Sequence, residues 1–436
     1  MDFSIKTLGQ CKVDCPLLDM FPSREKTFES DETRLLYNTM FTKDTSFDAE
    51  RLHQSFEVAG PREKIYFKPE EARPAIVSCG GICPGINDVI RSIVMESYYH
   101  YYTRNVVGIS YGYNGLNPAK GYPIMDLTPE KVKNIHMEGG TMLGSSRGGT
   151  EDMDLLMDTL EKMGINILYA IGGDGTLRGA HDFSELARSR GVDLAVVGIP
   201  KTIDNDISFI QRSFGFETAV SNSTNAIYAA HTEARGAPNG IGLVKLMGRH
   251  SGFIAASAAL AINDVNFVLL PEVPFDMDGE NGFLAHLEKR LNTREHAVIC
   301  VAEGAGQDIL QKEGPKNYDP SGNVRLDDIG LYLKDRINSY FNEKNIEINL
   351  KYIDPSYMIR SAPAVPDDSI YCAILGQHAV HAAMAGKTDL VIGQWNNIFT
   401  HVPIDLAISR RKQVDPHSRF YNSVIEATGQ PVSMKN

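Results

Sequence analysis

Short apolar runs that end in glycine or proline alternate with longer amphipathic stretches over much of the chain. Such runs are typical of buried strands, and apolar residues spaced three or four apart are typical of helices. Up to residue 200 the pattern predicts strands over 75–78, 106–109, 167–171 and 195–199, and helices over 88–97, 155–163 and 178–190. Asn87 or Asp88 is placed to cap the first of these helices. Strands that alternate with helices indicate βαβ units and a parallel sheet.

The same alternation starts again near residue 240. It predicts strands over 240–246, 266–270, 297–302 and 389–393, and helices over 252–261, 280–291 and 326–341. We therefore expect an α/β protein with two Rossmann-like, three-layer α/β/α domains whose sheets are rich in parallel strands. In such sheets the ligand site lies beyond the carboxyl ends of the strands.

Residues 1–72 have a different sequence pattern. Within them, the segment 21–48 mixes charged residues, serine and threonine with scattered aromatics and has no clear hydrophobic period. We interpret residues 1–72 as an N-terminal extension that wraps the surface or an oligomer interface, and a floppy tail is the alternative. The expected domains are this extension (1–72), a first domain (73–216 plus about 370–408) and a second domain (217–369 plus about 409–436).

Charge restricts the partners of the protein. The 436 residues contain 43 Lys and Arg against 55 Asp and Glu, which gives a formal net charge of −12. This acidic balance argues against nucleic acid, whose binding requires a basic surface, and against anionic membranes. Small phosphorylated substrates stay possible, because one pocket can be basic on an acidic protein.

Other features favour a soluble protein of a reducing compartment. The apolar run over 254–262 is far shorter than the roughly 20 residues of a membrane helix. The N-terminal residues have neither the basic nor the apolar part of a leader sequence. The six cysteines show no zinc-type pairing, so we expect free thiols. We therefore expect a cytoplasmic location.

Two loops at predicted strand ends of the first domain are suited to phosphate. The glycine-rich loop 79–87 lets backbone amides approach a phosphate, and a plain tight turn is the alternative. Strand 167–171 runs into Gly-Gly-Asp-Gly-Thr, a loop that suits nucleotide phosphates and Mg²⁺. Asp174 in this loop is placed near the metal, or alternatively caps the next helix.

A third loop follows strand 195–199 and has the sequence Pro-Lys-Thr-Ile-Asp-Asn-Asp. Lys201 can neutralise phosphoryl oxygens as a point charge. Asp204 and Asp206 share a face if the segment is extended. One carboxylate could then take a hydroxyl proton while the other orients the group or binds metal through water. Three such loops on one sheet are far more specific than any one of them.

The second domain supplies further candidates. Arg249 stands before a predicted helix and can bind an anion with the help of the helix N-terminus. Glu303 follows strand 297–302 and can accept hydrogen bonds from sugar hydroxyls. Segment 354–360 brings a tyrosine and Arg360 into one loop, and a plain surface or interface charge is the alternative for Arg360.

Two other patterns are rejected as sites. Gly386-Lys387-Thr388 resembles the end of a P-loop, but His381 stands where the first glycine is required. His378 and His381 lie three apart on a predicted helix in apolar company, with no third ligand in register. We interpret them as core or interface histidines rather than as a metal site.

Six motifs together carry a family resemblance. They are GGICPGIN (80–87), GGDGT (172–176), PKTIDND (200–206), MGRHSG (247–252), AEGAGQ (302–307) and PSYMIR (355–360). In this order they closely resemble the 6-phosphofructokinases, in particular the long, pyrophosphate-related group that includes ATP users. The resemblance covers nearly everything after residue 72, and PKTIDND followed by MGR is its most specific part.

The resemblance implies glycolytic transfer of the γ-phosphoryl group of ATP to the 1-hydroxyl of fructose 6-phosphate, with Mg²⁺ as cofactor. By position, Asp204 resembles the general base, Thr202 and Asp206 support it, and Asp174 resembles a metal ligand with Asp206 nearby. The other catalytic or donor-binding positions, assigned to the first domain, are Gly81, Arg147, Gly175, Thr176 and Lys201. The positions that match sugar-phosphate binding are Thr202, Asp204, Met247, Gly248, Arg249, Glu303, Tyr357 and Arg360.

The resemblance also bears on the phosphoryl donor. In this family a glycine after the GGD aspartate leaves room for the α-phosphate of ATP, whereas an aspartate there blocks it by size and charge. Gly175 therefore indicates ATP. Lys201 stands where short-chain ATP enzymes have glycine and is common in pyrophosphate enzymes, so a pyrophosphate-dependent phosphotransferase is the alternative. An extra lysine does not exclude a ligand, and we expect ATP.

Two further alternatives stay open. An NAD or lipid kinase shares GGDGT, and a non-catalytic regulatory paralogue is similar overall but typically lacks a catalytic carboxylate. Short-chain members have arginines where this chain has Gly240 and Ser369, so other basic residues must bind the 6-phosphate. The resemblance finally implies an allosteric enzyme that forms a homodimer or homotetramer.

Overall fold

The computed structural model describes residues 1–21, 23, 27–43, 49–310 and 325–436. The chain divides into two units. Unit 1 consists of Met1–Thr202, Ile207–Gly215 and Ser361–Arg411, and unit 2 of Ile203–Asp206, Phe216–Arg360 and Lys412–Asn436. The domain bounds drawn from the sequence stay a prediction.

The strands occur in both units. In chain order they are β1 (Lys6–Thr7), β2 (Val13–Asp14), β3 (Arg34–Leu36), β4 (Ser55–Val58), β5 (Lys64–Ile65), β6 (Pro74–Ser78), β7 (Val107–Ile109), β8 (Ile124–Asp126), β9 (Ile167–Gly172), β10 (Ala195–Pro200), β11 (Gly240–Leu246), β12 (Phe267–Leu269), β13 (His296–Ala302), β14 (Asn349–Ile353), β15 (Lys387–Thr388), β16 (Leu390–Trp395) and β17 (Ile398–Pro403).

Helices connect most of these strands. They are α1 (Ala49–His53), α2 (Ile86–Tyr99), α3 (Pro129–Val132), α4 (Met153–Lys162), α5 (Asp174–Arg190), α6 (Phe216–Arg235), α7 (Phe253–Ile262), α8 (Phe283–Arg294), α9 (Gln307–Leu310), α10 (Ile329–Glu343), α11 (Ser356–Arg360), α12 (Pro366–Met384), α13 (Ile404–Ile408) and α14 (Arg419–Thr428). Short 3₁₀ turns cover Pro16–Asp19, Gly112–Leu116, Pro118–Lys120 and Ile135–Met137.

Unit 1 is built on a nine-stranded sheet in the order β3-β4-β17-β16-β10-β9-β6-β7-β8. Its centre, from β16 to β7, is parallel, and the strands at both edges are antiparallel. Leu168 and Ala170 of β9 join an apolar cluster with α4 and α5, whereas Tyr169 between them faces the other way and is also fully buried. Helix α12 packs on β10 and on α2. Burial on both faces explains why these strands are continuous apolar runs.

Unit 2 contains a parallel sheet in the order β12-β13-β11-β14. Val244 and Leu246 of β11 belong to one apolar cluster, together with α6, α7 and α14. Ile241 and Leu243 belong to a second cluster, together with α8 and α10. Since alternate residues of a strand face opposite sides, helices cover both faces of this sheet. The expected α/β class with two parallel-rich sheets is therefore confirmed.

The described part of residues 1–72 is not a tail. Strands β3 and β4 extend the nine-stranded sheet of unit 1, because β4 pairs with β17, and β1 forms a separate two-stranded sheet with β15. Phe3, Tyr37 and Phe56 of this part pack with Phe209 and Trp395 in tilted, edge-on and stacked contacts, with ring centres 5.0–6.1 Å apart. Such pairs add about 0.5–1.5 kcal/mol each beyond the burial of their area.

The predicted cap of helix α2 is wrong. The helix begins at Ile86, and Gly85 precedes it with φ +96°, a conformation that favours glycine. Asn87 instead lies inside the helix, where its amide donates to the carbonyl of Glu138 at 3.1 Å and accepts from the backbone N–H of Met142 at 2.9 Å. The side chain thus ties α2 to the segment that follows α3.

The rejected patterns have structural roles. Lys387 lies in β15, where it is buried and pairs with Asp31 and Glu57 at 2.8 and 2.7 Å. His381 is buried, and its Nδ1 lies 2.8 Å from the hydroxyl of Tyr101, so it is a core histidine. No helix among the described residues has the length and apolar character that a membrane crossing needs.

Glu57 is the centre of a buried ion-pair group in unit 1. Its carboxylate accepts from Arg62 Nη2 at 2.8 Å, Lys387 Nζ at 2.7 Å and His401 Nδ1 at 2.9 Å. Burial alone raises the pKa of Glu57, but the bonds from His401 and Lys387 outweigh it and lower that pKa to about 2.

We expect Glu57→Gln to lower the free energy of unfolding by about 3 kcal/mol at pH 7, because the variant removes the buried anion of Arg62 and Lys387 and leaves them only the exposed carboxylate of Asp31. A carboxyl with a lowered pKa stabilises the fold above its unfolded value of 4.5, and this contribution is lost as the pH falls towards 2. Urea titrations at several pH values should therefore show the difference shrinking in acid. Glu71→Gln, which changes an exposed ion pair with Lys68, is the control. Equal stability of both variants would contradict the prediction.

Candidate active site

The three phosphate-type loops of unit 1 meet at the carboxyl ends of β6, β9 and β10. Lys201 follows β10, and its Nζ donates to the carbonyl of Gly81, in the glycine-rich loop after β6, at 2.5 Å. Its backbone N–H donates to the carbonyl of Gly172, at the end of β9, at 3.0 Å. The side chain of Lys201 is buried, so its ammonium group is held beside the glycine-rich loop. This arrangement offers a positive charge to an anion.

Arg147 is carried by a loop that contacts the glycine-rich loop. The backbone N–H of Gly80 donates to the carbonyl of Ser146 at 2.8 Å, and the hydroxyl of Ser145 donates to the carbonyl of Gly80 at 2.6 Å. Arg147 itself is exposed. The structure therefore brings Gly81, Lys201 and the backbone of the Arg147 loop together.

Helix α5 begins at Asp174 rather than at the expected residue 178. Gly173 is the residue before the helix, and no side chain caps the helix, so Asp174 is not the cap. The Asp174 carboxylate lies 3.4 Å from Arg178 and 3.9 Å from Arg411. The first turn of a helix carries partial positive charge, which favours anions such as phosphate.

Gly175 and Thr176 differ in their surroundings. Gly175 is exposed, and a Cβ built on it would have no heavy atom within 4 Å. Thr176 is buried, and its carbonyl accepts from the hydroxyl of Tyr113 at 2.8 Å. The space around Gly175 is therefore open at the start of the helix.

Asp204 lies in unit 2 next to the MGRHSG loop. The backbone N–H of Arg249 donates to Asp204 Oδ2 at 3.3 Å, and the hydroxyl of Ser251 donates to the carbonyl of Asp204 at 3.0 Å. Gly248 has φ +125°, and a Cβ there would lie 2.5 Å from the carbonyl of Ser251, so this tight loop requires glycine. The loop thus fixes the position of Asp204.

The segment around Asp204 is not extended, which is the condition under which Asp204 and Asp206 would share a face. Residues 203 and 204 form a turn, and Asn205 adopts the left-handed conformation with φ 55°. Asp204 and Asp206 therefore do not follow the alternation of an extended strand. Their relative position is set by the conformation of Asn205 instead.

Asp204 has a strongly perturbed acidity. Burial, followed by the neighbouring charges of Asp206 and Glu303, raises its pKa well above the ordinary value of 3.8. The N–H of Arg249 and the charge of Arg360 act in the opposite direction. A carboxylate with a raised pKa accepts a proton more readily near neutral pH than an ordinary aspartate does.

Glu303 connects the remaining motifs of unit 2. Burial raises its pKa, and the charges of Arg249, Lys245 and Arg360 oppose this shift. The next residue, Gly304, donates its N–H to the carbonyl of Gly248 at 3.1 Å. The structure therefore brings Asp204, Arg249, Glu303 and Arg360 together.

Three predicted residues have other surroundings. Met247 is buried and packs in the apolar cluster on one face of the unit 2 sheet. Tyr357 is 83% exposed, so its ring is directed to solvent. Thr202 is the last residue of its unit 1 segment, and its carbonyl accepts from the hydroxyl of Ser213 at 2.5 Å.

Comparison with known proteins decides the family. The family model described as phosphofructokinase matches residues 73–383. The chain belongs to the phosphofructokinase family. The resemblance inferred from the motifs is thereby confirmed.

Relatives of this family match over nearly the whole chain. An ATP-dependent 6-phosphofructokinase of Borreliella burgdorferi is 51% identical over 100% of this chain and 98% of its own. One from Amycolatopsis methanolica is 45% identical over 99% of this chain and 95% of its own. A solved pyrophosphate-dependent phosphofructokinase from Marinobacter aquaeolei has the same fold, with a TM-score of 0.67, 19% identity, and coverage of 82% of this chain and 91% of its own.

The phosphofructokinase fold of this chain also accounts for one departure from short-chain members. Gly240 starts β11, and a Cβ there would lie 2.0 Å from the carbonyl of Ala234 at the end of α6. An arginine therefore does not fit at this position without a backbone shift.

Lys412 is a feature of this phosphofructokinase that sequence reasoning missed. Its Nζ donates to Asn205 Oδ1 at 2.8 Å, and its backbone N–H donates to the carbonyl of Asp206 at 2.9 Å. Burial lowers the pKa of Lys412 to about 7, and Asp206 opposes this shift. In the sequence Lys412 follows two arginines and is separated from Asn205 by more than 200 residues, so no local pattern links them.

Proposed function

We propose that the protein is an ATP-dependent 6-phosphofructokinase of glycolysis. It transfers the γ-phosphoryl group of ATP to the 1-hydroxyl of fructose 6-phosphate and releases ADP and fructose 1,6-bisphosphate. The observation that carries the proposal is identity of 51% and 45%, over nearly full length, to two enzymes with that name. The six motifs are present in the chain, although Gly240 and Ser369 stand where short-chain members have arginines.

Asp204 serves as the general base of this reaction. The O–H bond of the sugar hydroxyl breaks, its proton passes to the Asp204 carboxylate, and the oxygen forms the new bond to phosphorus. The bond from the γ-phosphorus to the bridging oxygen breaks, and its electron pair stays with ADP. The raised pKa of Asp204 supports this role. Thr202 and Asp206 orient the base and the hydroxyl.

The phosphoryl donor is bound by unit 1. Phosphoryl transfer depends on positioning and on neutralisation of charge. The donor is assigned to Gly81 in the glycine-rich loop and to Thr176 in the first turn of α5, Lys201 contributes a buried ammonium group, and Arg147 stabilises charge on the transferred group. The open space at Gly175 supports ATP, because it leaves room for the α-phosphate.

The residues of unit 1 fit a Mg²⁺ ion that is shared with the donor. Mg²⁺ is usually bound by one or two carboxylates together with substrate phosphates and water. Asp174 supplies one carboxylate at a helix N-terminus, and its ion pairs are long, at 3.4 and 3.9 Å. When bound, the ion neutralises charge on the phosphates. We assign Asp174 as its ligand.

Fructose 6-phosphate is bound by unit 2. The residues of unit 2 assigned to it are Met247, Gly248, Arg249, Glu303, Tyr357, Arg360 and Asp204, and the family resemblance adds Thr202, the last residue of its unit 1 segment. Arg249 and Arg360 supply positive charge, and Glu303 accepts hydrogen bonds from the sugar hydroxyls. The electrostatic coupling of Arg249 and Arg360 to Glu303 supports this grouping.

The enzyme is further proposed to act in the cytoplasm as an allosteric homodimer or homotetramer, as the family resemblance implies. The free cysteines of the described chain are compatible with a reducing compartment. Light scattering on the purified protein reads the oligomeric state directly.

A donor assay tests the proposed function. With fructose 6-phosphate and Mg²⁺ held constant, we expect product formation with ATP at least about 100-fold faster than with pyrophosphate, because a discriminating site of this kind is worth several kcal/mol. Activity with pyrophosphate alone would support the pyrophosphate-dependent alternative. Phosphorylation of NAD or a lipid in place of the sugar would support the GGDGT kinases. Sugar-phosphate binding without turnover would indicate a regulatory paralogue.

A further inference from the structure

The segment that starts at Lys412 is fixed against the acceptor loops of unit 2. The backbone N–H of Val414 donates to the carboxylate of Glu272 at 2.8 Å. The same carboxylate accepts from the backbone N–H of Gly252, at the end of the MGRHSG loop, at 2.9 Å. Because Glu272 holds both segments, the position of Lys412 relative to the MGRHSG loop is defined.

Lys412 contacts the loop of the proposed base in two places. Its Nζ donates to the side chain of Asn205 and its main chain donates to the carbonyl of Asp206, at 2.8 and 2.9 Å. The Nζ also lies 5.4 Å from the ring centre of Phe253, the first residue of α7. Charge over an aromatic face adds to the stability of this position.

Asn205 is the hinge between the two aspartates. Its φ of 55° is left-handed, a conformation that asparagine tolerates better than most residues but that still carries strain. A change in this dihedral angle would redirect both Asp204 and Asp206, because they are its direct neighbours. A hydrogen bond that fixes the Asn205 side chain therefore influences the positions of both Asp204 and Asp206.

We propose that Lys412 is a positioning residue for phosphoryl transfer, which holds Asn205 in its left-handed conformation and thereby aims Asp204 at the acceptor hydroxyl. The inference rests on the proposed function. Lys412 donates the bond to Asn205 Oδ1 whether its amine is protonated or neutral, so the role does not depend on its charge. Misplacement of a reacting group by about 1 Å can lower a rate about 10²-fold.

The test combines Lys412→Met and Asn205→Gly with their double variant. Glycine at position 205 can adopt the left-handed conformation, but it lacks the side-chain oxygen that accepts the hydrogen bond from Lys412. We expect each single variant to lower kcat by at least about tenfold, with KM for fructose 6-phosphate changed by less than about threefold, because positioning acts on the transition state. We expect kcat of the double variant to be no lower than that of the slower single variant, because both changes remove the same hydrogen bond between Lys412 and Asn205.

Lys344→Met is the matched control. Lys344 belongs to the same unit, pairs with Glu288 at 2.5 Å and lies 4.5 Å from the ring centre of Tyr340. Its loss removes a comparable set of contacts from an exposed helix end, and kcat should stay within about twofold of the wild type. Thermal unfolding of every variant separates loss of rate from loss of fold.

Several outcomes would overturn the proposal. They are a kcat for Lys412→Met that equals the control, losses that multiply in the double variant, or a change confined to KM. If Lys412→Met fails to fold, Asn205→Gly decides, because it leaves the lysine in place, and a normal kcat refutes the role. Absence of fructose 6-phosphate phosphorylation in the wild type would instead refute the proposed function, and it is read in the same assay.

Discussion

Replacing Asp204 with asparagine is expected to lower kcat by about 10²–10⁴-fold or more, the range that a general base contributes. Asparagine keeps the size of the side chain and can still accept from the N–H of Arg249, but it cannot take the proton of the hydroxyl. Steady-state kinetics with ATP and fructose 6-phosphate measure kcat and both KM values. We expect both KM values to change little, because the neutral amide still fills the site.

Stability should move in the opposite direction from activity. The pKa of Asp204 is raised in the fold, so ionising this carboxyl costs more in the folded than in the unfolded chain. Asp204 therefore lowers the free energy of unfolding at pH values above its unfolded pKa of 3.8. The neutral asparagine removes this penalty, and Tm at pH 8 should be equal or higher. Asp335→Asn, an exposed carboxylate of the same unit, should change neither kcat nor Tm. Near-normal turnover of Asp204→Asn would refute the base assignment.

Gly175→Asp is expected to abolish the use of ATP, with kcat/KM for ATP reduced by at least about 100-fold. The new carboxylate would stand at the start of α5, where the donor phosphates are proposed to bind, and would repel them by charge and size. The fold should tolerate the change, since Gly175 is exposed and no heavy atom lies within 4 Å of a Cβ there. An acidic residue in the first turn of a helix adds about 0.3–1 kcal/mol of stability.

Gly175→Ala separates size from charge, because it adds only a methyl group. We expect an intermediate loss in kcat/KM for ATP, an unchanged KM for fructose 6-phosphate, and unfolding midpoints at or above that of the wild type for both variants. ATP kinetics of Gly175→Asp that match those of the wild type would show that the donor does not approach this glycine.

The central strands could be predicted from the sequence because both of their faces are buried. Strands β6, β9, β10 and β13 contain short apolar runs, and their predicted bounds differ from the structure by one residue at most at either end. Strand β14 was missed, since Lys351 and the half-buried residues around it give no apolar run. Pairing of β4 with β17 depends on residues more than 300 positions apart, and no local pattern reports such pairing.

The site was predictable to the extent that it lies at strand ends. Lys201 and the glycine-rich loop were expected in one place, and the structure joins them by a hydrogen bond. The geometry of Asp204 and Asp206 was not predictable, because it depends on one left-handed asparagine. The role of Lys412 could not be predicted either, because its contact with Asn205, like the pairing of β4 with β17, joins residues that are distant in the sequence.

The interleaved order of the unit 1 sheet has a consequence for synthesis on the ribosome. Strand β10 lies between β9 and β16, so its second edge is unpaired until Leu390–Trp395 emerge, roughly 190 residues after Pro200. At about 5–20 residues per second, that wait lasts about 10–40 s. During this interval, the unpaired backbone edge of an apolar strand is available to other nascent chains. Chaperone dependence should therefore be concentrated in this interval of translation, and a slow stretch of codons just before β16 would increase it.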